Sequence, residues 1–127
     1  AFVSLRELVF LEELDLCGCR IEDGALVEML SAAMPSKLHT LNLTWCPALT
    51  DAAPLAIARC CPMMEWLSLF GSQTITGAAI EALAAAPCGA RIHSLDVRGL
   101  TRAMEYSHDP VRLRAIFPNL VHVALHP

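Results

Sequence analysis

One nine-residue pattern recurs five times along the chain, and this repeat constrains the fold more than any other feature of the sequence. Its form is LxxLxLxxC, in which Leu stands for a large apolar residue and the last position is Cys, Ser or Leu in the complete copies. Consecutive copies begin 26 to 28 residues apart. The copies lie at residues 11–19, 38–46, 64–72, 92–100 and 120–126. Because the apolar positions stay in register throughout, the pattern predicts a stack of similar units, each with one strand.

The segments between the copies have apolar residues at helical spacing, and a proline follows each of them. We expect helices over residues 21–30, 49–59 and 75–83, with Thr50 as the N-cap of the second and Thr76 in the same place in the third. The prolines are Pro35, Pro62, Pro87 and Pro118. Proline at these places ends a helix and favours extended backbone before the next strand.

The fourth segment departs from this pattern. Residues 101–108 are predicted to form a loop, followed by a short helix with Asp109 as its N-cap and Pro110 at its first position. Residues 1–10 have the apolar spacing of the end of an earlier helix. These elements predict an α/β solenoid, with a curved parallel sheet of about five strands on the concave side and helices on the convex side.

Residues 1–127 are expected to form a single domain, since this length is near the common size of one domain. The last strand has no following helix in the sequence, and the first has no clear polar cap. Solenoid ends need such caps. We therefore expect the chain to be a fragment or terminal part of a longer solenoid or assembly.

Three segments resemble the cysteine-containing subfamily of leucine-rich repeats, whose consensus runs LxxLxLxxC, then ITD, then a helix that ends in CP. Residues 38–46, 49–51 and 60–62 match this consensus most closely. The resemblance is to F-box/LRR and ribonuclease-inhibitor-like proteins, and it covers residues 5–127. It implies a partner-recruiting role, as when F-box/LRR proteins bring a substrate to a ubiquitin ligase. The chain matches the repeats of those proteins and not their F-box.

The composition argues against several classes of function. Lys and Arg number 9 against 13 Asp and Glu, which gives a net charge of −4 at pH 7. Because an acidic chain attracts a polyanion weakly, we expect no nucleic-acid partner. A hydrophobic fraction of 55% excludes intrinsic disorder. The longest stretch without a charged residue, 66–80, is shorter than the roughly 20 residues of a spanning helix, so we expect no transmembrane segment.

Six cysteines accompany this apolar composition. Secreted disulfide scaffolds are small and poor in core residues, whereas this chain is rich in them. Residues 1–10 also lack the basic start and small-residue cleavage site of a signal peptide. We therefore expect reduced thiols and an intracellular location, with the cytoplasm, the nucleus and an organelle left open.

Alternation along each strand separates the core from a candidate binding surface. Repeat positions 1, 4, 6 and 9 are predicted to face the core, so positions 3, 5 and 7 share the concave surface. On the third strand this places Trp66 and Phe70 outward, on either side of Ser68. Trp45 lies at position 8, where three other copies have glycine. Such central aromatic side chains are typical interface anchors; the alternative is that Trp45 or Trp66 only packs against the fold.

Charged residues on the same surface form a gradient along the solenoid. Glu12, Glu13 and Asp15 lie at its N-terminal end, whereas Arg98, His122 and His126 lie at the other end. The candidate partner-binding residues are the three aromatic residues together with Glu13, Asp15, Asp96, Arg98 and His122. The alternative is a solvated charged surface that has no partner.

The sequence predicts neither a metal site nor a catalytic centre, and we expect no cofactor. Zinc needs about four converging ligands, and no second knuckle accompanies Cys17-x-Cys19. Cys17 and His126 are predicted to lie four strands apart, or about 19 Å, too far for a nucleophile–base pair. Nucleophile-elbow, phosphate-loop and zinc-protease motifs are absent from the sequence. Cys46, at position 9, is predicted to satisfy backbone groups in the turn, as Ser72 does in its own repeat.

The leading prediction is a non-catalytic protein–protein interaction module that presents its concave face, as in F-box/LRR adaptors. The alternative is a structural or assembly subunit of a large complex, for example a mitochondrial one; a thiol enzyme or metal-binding protein comes third. The concave strip projects only about 250 Å², whereas a stable interface takes about 800 Å² from each partner. The solenoid ends are therefore expected to contact a protein partner as well.

Overall fold

Five short strands form one parallel sheet in the computed structural model, which describes residues 10–34 and 36–124. The strands follow chain order across the sheet, so each repeat adds its strand beside the previous one. They are β1 (Glu13–Asp15), β2 (Thr40–Asn42), β3 (Trp66–Ser68), β4 (Ser94–Asp96) and β5 (His122–Ala124). The predicted α/β architecture with five parallel strands is confirmed.

The pairing register places equivalent repeat positions side by side. Leu41 of β2 pairs with Leu14 on one side and with Leu67 on the other. Leu41 and Leu67 are buried, and so are the next core positions, Leu43 and Leu69. The buried apolar residues form one cluster to which the second, third and fourth copies supply the same positions, and Leu14 of β1 and Val123 of β5 pack against it partly buried.

Helices connect the successive strands. α1 (Asp23–Ala32), α2 (Ala52–Cys60) and α3 (Gly77–Ala85) agree with the predicted helices to within three residues at each end. A short 3₁₀ helix, Pro87–Ala90, follows α3. Each helix lies in a crossover between two parallel strands, which is the connection that a parallel pair requires.

The fourth crossover differs from the prediction. Residues 101–108 are not a loop throughout, since they contain the helix α4 (Met104–Ser107), which precedes α5 (Pro110–Ile116). Tyr106 is buried, and its hydroxyl donates a hydrogen bond to Glu81 of α3. This contact with another repeat stabilises a single helical turn that has no periodic apolar pattern of its own.

The start of α5 agrees with the prediction. The Asp109 side chain accepts a hydrogen bond from the backbone N–H of Arg112 at 3.0 Å. Pro110 occupies the first position of the helix, where its missing N–H leaves no partner unsatisfied. Capping at this helix depends only on residues within one turn of it, and the sequence therefore predicts it correctly.

Thr50 has a different role from the predicted one. The N-cap residue of α2 is Asp51, whose side chain makes no capping hydrogen bond, and the Thr50 hydroxyl accepts only a long bond from the N–H of Ala52 at 3.5 Å. The backbone N–H and the hydroxyl of Thr50 also donate to the carboxylate of Asp23, at 2.9 and 2.6 Å. Thr76 is the N-cap residue of α3, but its side chain makes no capping hydrogen bond. Its backbone N–H and hydroxyl donate to the carboxylate of Asp51 in the same way. A carboxylate of one repeat thus holds the threonine of the next.

Position 9 of the repeat matches the prediction only in part. Cys46 is buried, and its thiol donates to the carbonyl of Leu16 at 3.0 Å, as expected for a turn-stabilising residue. Ser72 is also buried, but its hydroxyl has no hydrogen-bond partner among the described residues. The predicted equivalence of Ser72 and Cys46 is therefore wrong. Cys19 is exposed in the first described repeat, whereas Leu100 is buried in the fourth.

Some predictions fall on residues that the structure does not describe. These are the helix end expected at residues 1–10, apart from Phe10, the proline at position 35 and the histidine at position 126. Over residues 10–34 and 36–124, no helix has both the length and the apolar character needed to cross a bilayer.

Candidate functional site

At position 5 of four strands, a polar side chain accepts a hydrogen bond from the backbone N–H two residues later, which fixes the following turn. The four acceptors are Asp15, Asn42, Ser68 and Asp96. Asp15 and Asp96, two of the candidate binding residues, therefore stabilise turns. Ser68 is buried although it occupies a position predicted to be outward, and its hydroxyl also bonds that of Thr44 at 2.6 Å.

Trp45 has a backbone conformation that favours glycine. Its φ is 54°, in the left-handed region, where the equivalent residues of the other turns are Gly18, Gly71 and Gly99. This region costs a residue with a Cβ atom about 1–2 kcal/mol. The indole covers Gly71, because a Cβ atom there would lie 2.4 Å from a ring carbon, yet Trp45 is 54% exposed. Trp45 thus packs over a glycine, as one interpretation expects, and still presents a large apolar surface.

Side chains from three successive repeats stack beside these turns. The rings of Trp45 and Phe70 have centroids 4.9 Å apart and are tilted by 53°. The guanidinium of Arg98 lies 4.3 Å from the Phe70 centroid, in cation–π geometry. Arg98 donates to Asp96 at 2.7 Å, and this hydrogen bond raises the pKa of Arg98. We call Trp45, Phe70 and Arg98 the rim stack; it brings three candidate binding residues together.

Trp66 borders two depressions on the concave surface. The first depression has a volume of about 640 Å³ and includes Glu13 and Asp15 of β1. The second depression, of about 390 Å³, includes Asp96 of β4 and His122 of β5. Trp66 itself is partly buried on β3. The remaining candidate residues therefore lie in two groups, one in each depression, and the indole of Trp66 borders both.

The sequence interpretation missed residues at position 2 of the repeat, just before each strand. Three of them, His39, Glu65 and His93, line the first depression. Glu65 contacts His93 at 3.5 Å and Arg91 at 3.9 Å, but these pairs are exposed and contribute little to stability. Position 2 alternates between carboxylate and imidazole from Glu12 through His93. This alternation is the pattern from which the residues could have been found.

All six cysteines are free, and four of them are buried. Burial raises the pKa of Cys61 to about 12 and that of Cys88 to about 11, and it also raises the pKa of Cys46. Such thiols stay protonated at neutral pH and are poor nucleophiles and metal ligands. In the described part of the chain, no group of three or more His, Cys, Asp and Glu side chains is arranged to hold a metal ion.

Thiol labelling tests this arrangement. In the folded protein near neutral pH, we expect iodoacetamide to modify the exposed Cys17 and Cys19 and to leave the four buried cysteines unmodified. The reason is that the thiolate is the reacting form, that all four buried thiols are inaccessible, and that burial raises the pKa of Cys46, Cys61 and Cys88. Peptide mass spectrometry measures the labelling, and the protein unfolded in urea, in which all six should react, is the control. Fast modification of Cys61 or Cys88 would contradict a structural role for them.

Comparison with known proteins bears on the fold. No protein-family model matches the chain. Among solved structures, the tropomodulin C-terminal domain of Caenorhabditis elegans is similar, with a TM-score of 0.68 and 16% sequence identity. The match covers 95% of this chain and 77% of that one. A likeness at this identity supports the leucine-rich-repeat-like fold and carries no information about function.

Proposed function

We propose that this chain is a non-catalytic protein-binding module that contacts its partner through the rim stack and the concave surface of the sheet. The observation that carries the proposal is Trp45. It holds a backbone conformation suited to glycine, and although its ring packs over Gly71, more than half of the residue surface stays exposed at the rim. A partner that covered the indole would remove this apolar surface from water, and Trp and Arg are the most frequent interface anchors.

Within this class we favour recruitment of a partner, as in F-box/LRR proteins. Residues 38–46 and 60–62 follow the cysteine-containing consensus of that subfamily. Six free thiols support an intracellular location. The concave strip, at about 250 Å², is small for a stable interface, so contacts at the rim and at the solenoid ends are part of the proposal.

A structural subunit is the second candidate, and the outer surfaces of the helices favour it. Leu55 of α2, Met104 of α4 and Val111 of α5 are large apolar side chains that are 45%, 53% and 76% exposed. A subunit fixed in an assembly would bury these helices, whereas a recruiter would bury the rim stack. The two candidates therefore differ in the surface that the partner covers.

Site-specific photo-cross-linking separates these candidates. Lysine-directed reagents suit the chain poorly because Lys37 is its single lysine. A photoreactive phenylalanine analogue is placed either at Cys17, which is exposed at position 7, or at Leu55 on α2. Cross-links to a protein neighbour from position 17 support recruitment, and those from position 55 alone support the structural subunit. Mass spectrometry identifies the neighbour for the affinity measurements.

Phe70→Ala is expected to weaken binding of that neighbour about fivefold, a loss of about 1 kcal/mol. Phe70 lies between Trp45 and Arg98, so its removal releases both from their stacked positions. Titration calorimetry measures the affinity, with thermal unfolding of the same sample as a check on folding. Leu55→Ala, which truncates an exposed apolar residue on α2, is the matched control. Equal affinities for the two variants would contradict a role for the rim stack.

A further inference from the structure

The first depression concentrates negative charge that the chain itself leaves largely unpaired. Among the described residues, its lining includes the carboxylates of Glu13, Asp15 and Glu65 and the imidazoles of His39 and His93, and it contains no lysine or arginine. The side chain of Glu13 has no hydrogen bond or ion pair among the described residues, and one oxygen of Asp15 accepts the N–H of Cys17. Within residues 10–34 and 36–124, the Glu65 carboxylate has only the two long, exposed pairs given above. The three carboxylates therefore keep most of their capacity to bind a cation.

An aromatic side chain completes the lining of the same depression. Trp66 lies on β3, two strands from β1, which carries Glu13 and Asp15. A cation beside an indole face gains an attraction to the ring in addition to its ion pairs. Carboxylates together with an aromatic surface suit a lysine or arginine side chain, whose apolar stem packs against the ring while its charged end meets the acids.

The dimensions of the concave strip limit the kind of polypeptide that can present this lysine or arginine side chain. Five strands about 4.8 Å apart give a strip about 19 Å wide, which is the length of roughly five to six extended residues. A folded domain would need a larger contact area than the strip provides. The surface therefore suits a short extended segment of a larger protein.

We propose that the first depression binds a lysine or arginine side chain that an extended segment of the protein partner presents to Glu13, Asp15, Glu65 and Trp66. This inference rests on the proposed function and names the chemistry of the partner at that site. The carboxylates supply a negative charge that complements the positive charge of the lysine or arginine. The cavity beside Trp66 supplies the space for that side chain. The rim stack is a separate contact and does not supply the negative charge.

The two tryptophans of the chain provide a direct measurement, since Trp45 and Trp66 give two indole N–H resonances in a ¹H–¹⁵N spectrum. The probe is an acetylated and amidated peptide of alternating glycine and lysine, because alternate side chains of an extended peptide point the same way. We expect the Trp66 resonance to shift in a saturable manner and the Trp45 resonance to move much less. The same peptide with glutamate in place of lysine should shift neither.

Glu13→Gln is expected to weaken binding of the lysine peptide about threefold, as loss of one exposed charge contact does. The matched control is Glu28→Gln, an exposed carboxylate on α1 that is absent from the depression, and it should leave the affinity unchanged. Raising the salt concentration should also lower the affinity for the lysine peptide, as Glu13→Gln does, because salt screens the charge contacts. The unmutated protein alone already tests the proposal, so the result does not depend on one variant.

Three results would overturn this inference: a Trp66 resonance that the lysine peptide does not move at millimolar concentration, equal shifts from the glutamate peptide, or equal effects of Glu13→Gln and Glu28→Gln. Failure of the proposed function gives a different pattern. In that case the lysine peptide still binds at Trp66, whereas Phe70→Ala leaves the affinity for the cross-linked neighbour unchanged. If the lysine peptide does not bind but Phe70→Ala weakens the affinity for the neighbour, the protein-binding function stands and the basic segment is not its ligand.

Discussion

Replacing Leu41 by alanine is expected to lower the free energy of unfolding by about 2–5 kcal/mol. Leu41 has no exposed surface and pairs with Leu14 and Leu67 on the two neighbouring strands. Truncation removes apolar contacts and leaves a cavity, which the flanking strands cannot close without shifting their pairing. Urea-induced unfolding followed by circular dichroism measures the loss.

Thr40→Ala is the control for this change, since Thr40 lies next to Leu41 on β2 and faces the concave surface. Its hydroxyl bonds the ring of His39, so we expect a loss of about 1 kcal/mol or less. A comparable loss in both variants would mean that the two faces of the strand are assigned wrongly. A large loss at Leu41 alone supports the assignment of the inward and outward positions on β2.

The sequence predicts the strands well because neighbouring repeats bury equivalent apolar positions against one another. Each copy must bury the same apolar positions against its neighbours, so Leu41 could not face outward without exposing its partners in every adjacent repeat. The predicted helices follow for the same reason. Local capping is also readable from the sequence, as Asp109 shows with its bond to the N–H of Arg112, three residues later.

Contacts between repeats are harder to predict. Thr50 looks like an N-cap when only its neighbours in sequence are considered, but its partner is Asp23, 27 residues earlier. The helix α4 likewise depends on the bond from Tyr106 to Glu81, 25 residues away. The Thr–Asp pairing recurs in the next repeat, between Thr76 and Asp51, but the spacing of these residues does not by itself show which side chains meet. Such bonds become visible only when the repeats are stacked in space.

The candidate site shows the same division. Alternation along the strands correctly places Trp66 and Glu13 on the concave surface, where both line the first depression. It says nothing about His39 or Glu65, which precede their strands and lie outside the alternating segment. It also cannot predict that Trp45 would adopt the conformation of a glycine, since that depends on the ring finding space over Gly71.

Trp45→Gly is expected to weaken partner binding tenfold or more, equivalent to about 1.4 kcal/mol, while changing stability little. Removing the side chain relieves the left-handed backbone by about 1–2 kcal/mol. It also exposes apolar surface, on the order of 100 Å², over Gly71 and Phe70, worth about 2.5 kcal/mol. The two effects oppose each other, so the net loss of stability should be about 1 kcal/mol. Titration calorimetry and urea unfolding measure the two quantities on the same samples.

Trp45→Ala provides the decisive comparison, because it removes the same ring but keeps a Cβ atom in the left-handed region. We expect the alanine and glycine variants to lose the same affinity, whereas the alanine variant should be the less stable by about 1 kcal/mol. Affinity and stability then vary independently at one position. If affinity instead followed stability across the two variants, Trp45 would act by holding the turn over Gly71, and its exposed ring would not be the contact that the partner covers.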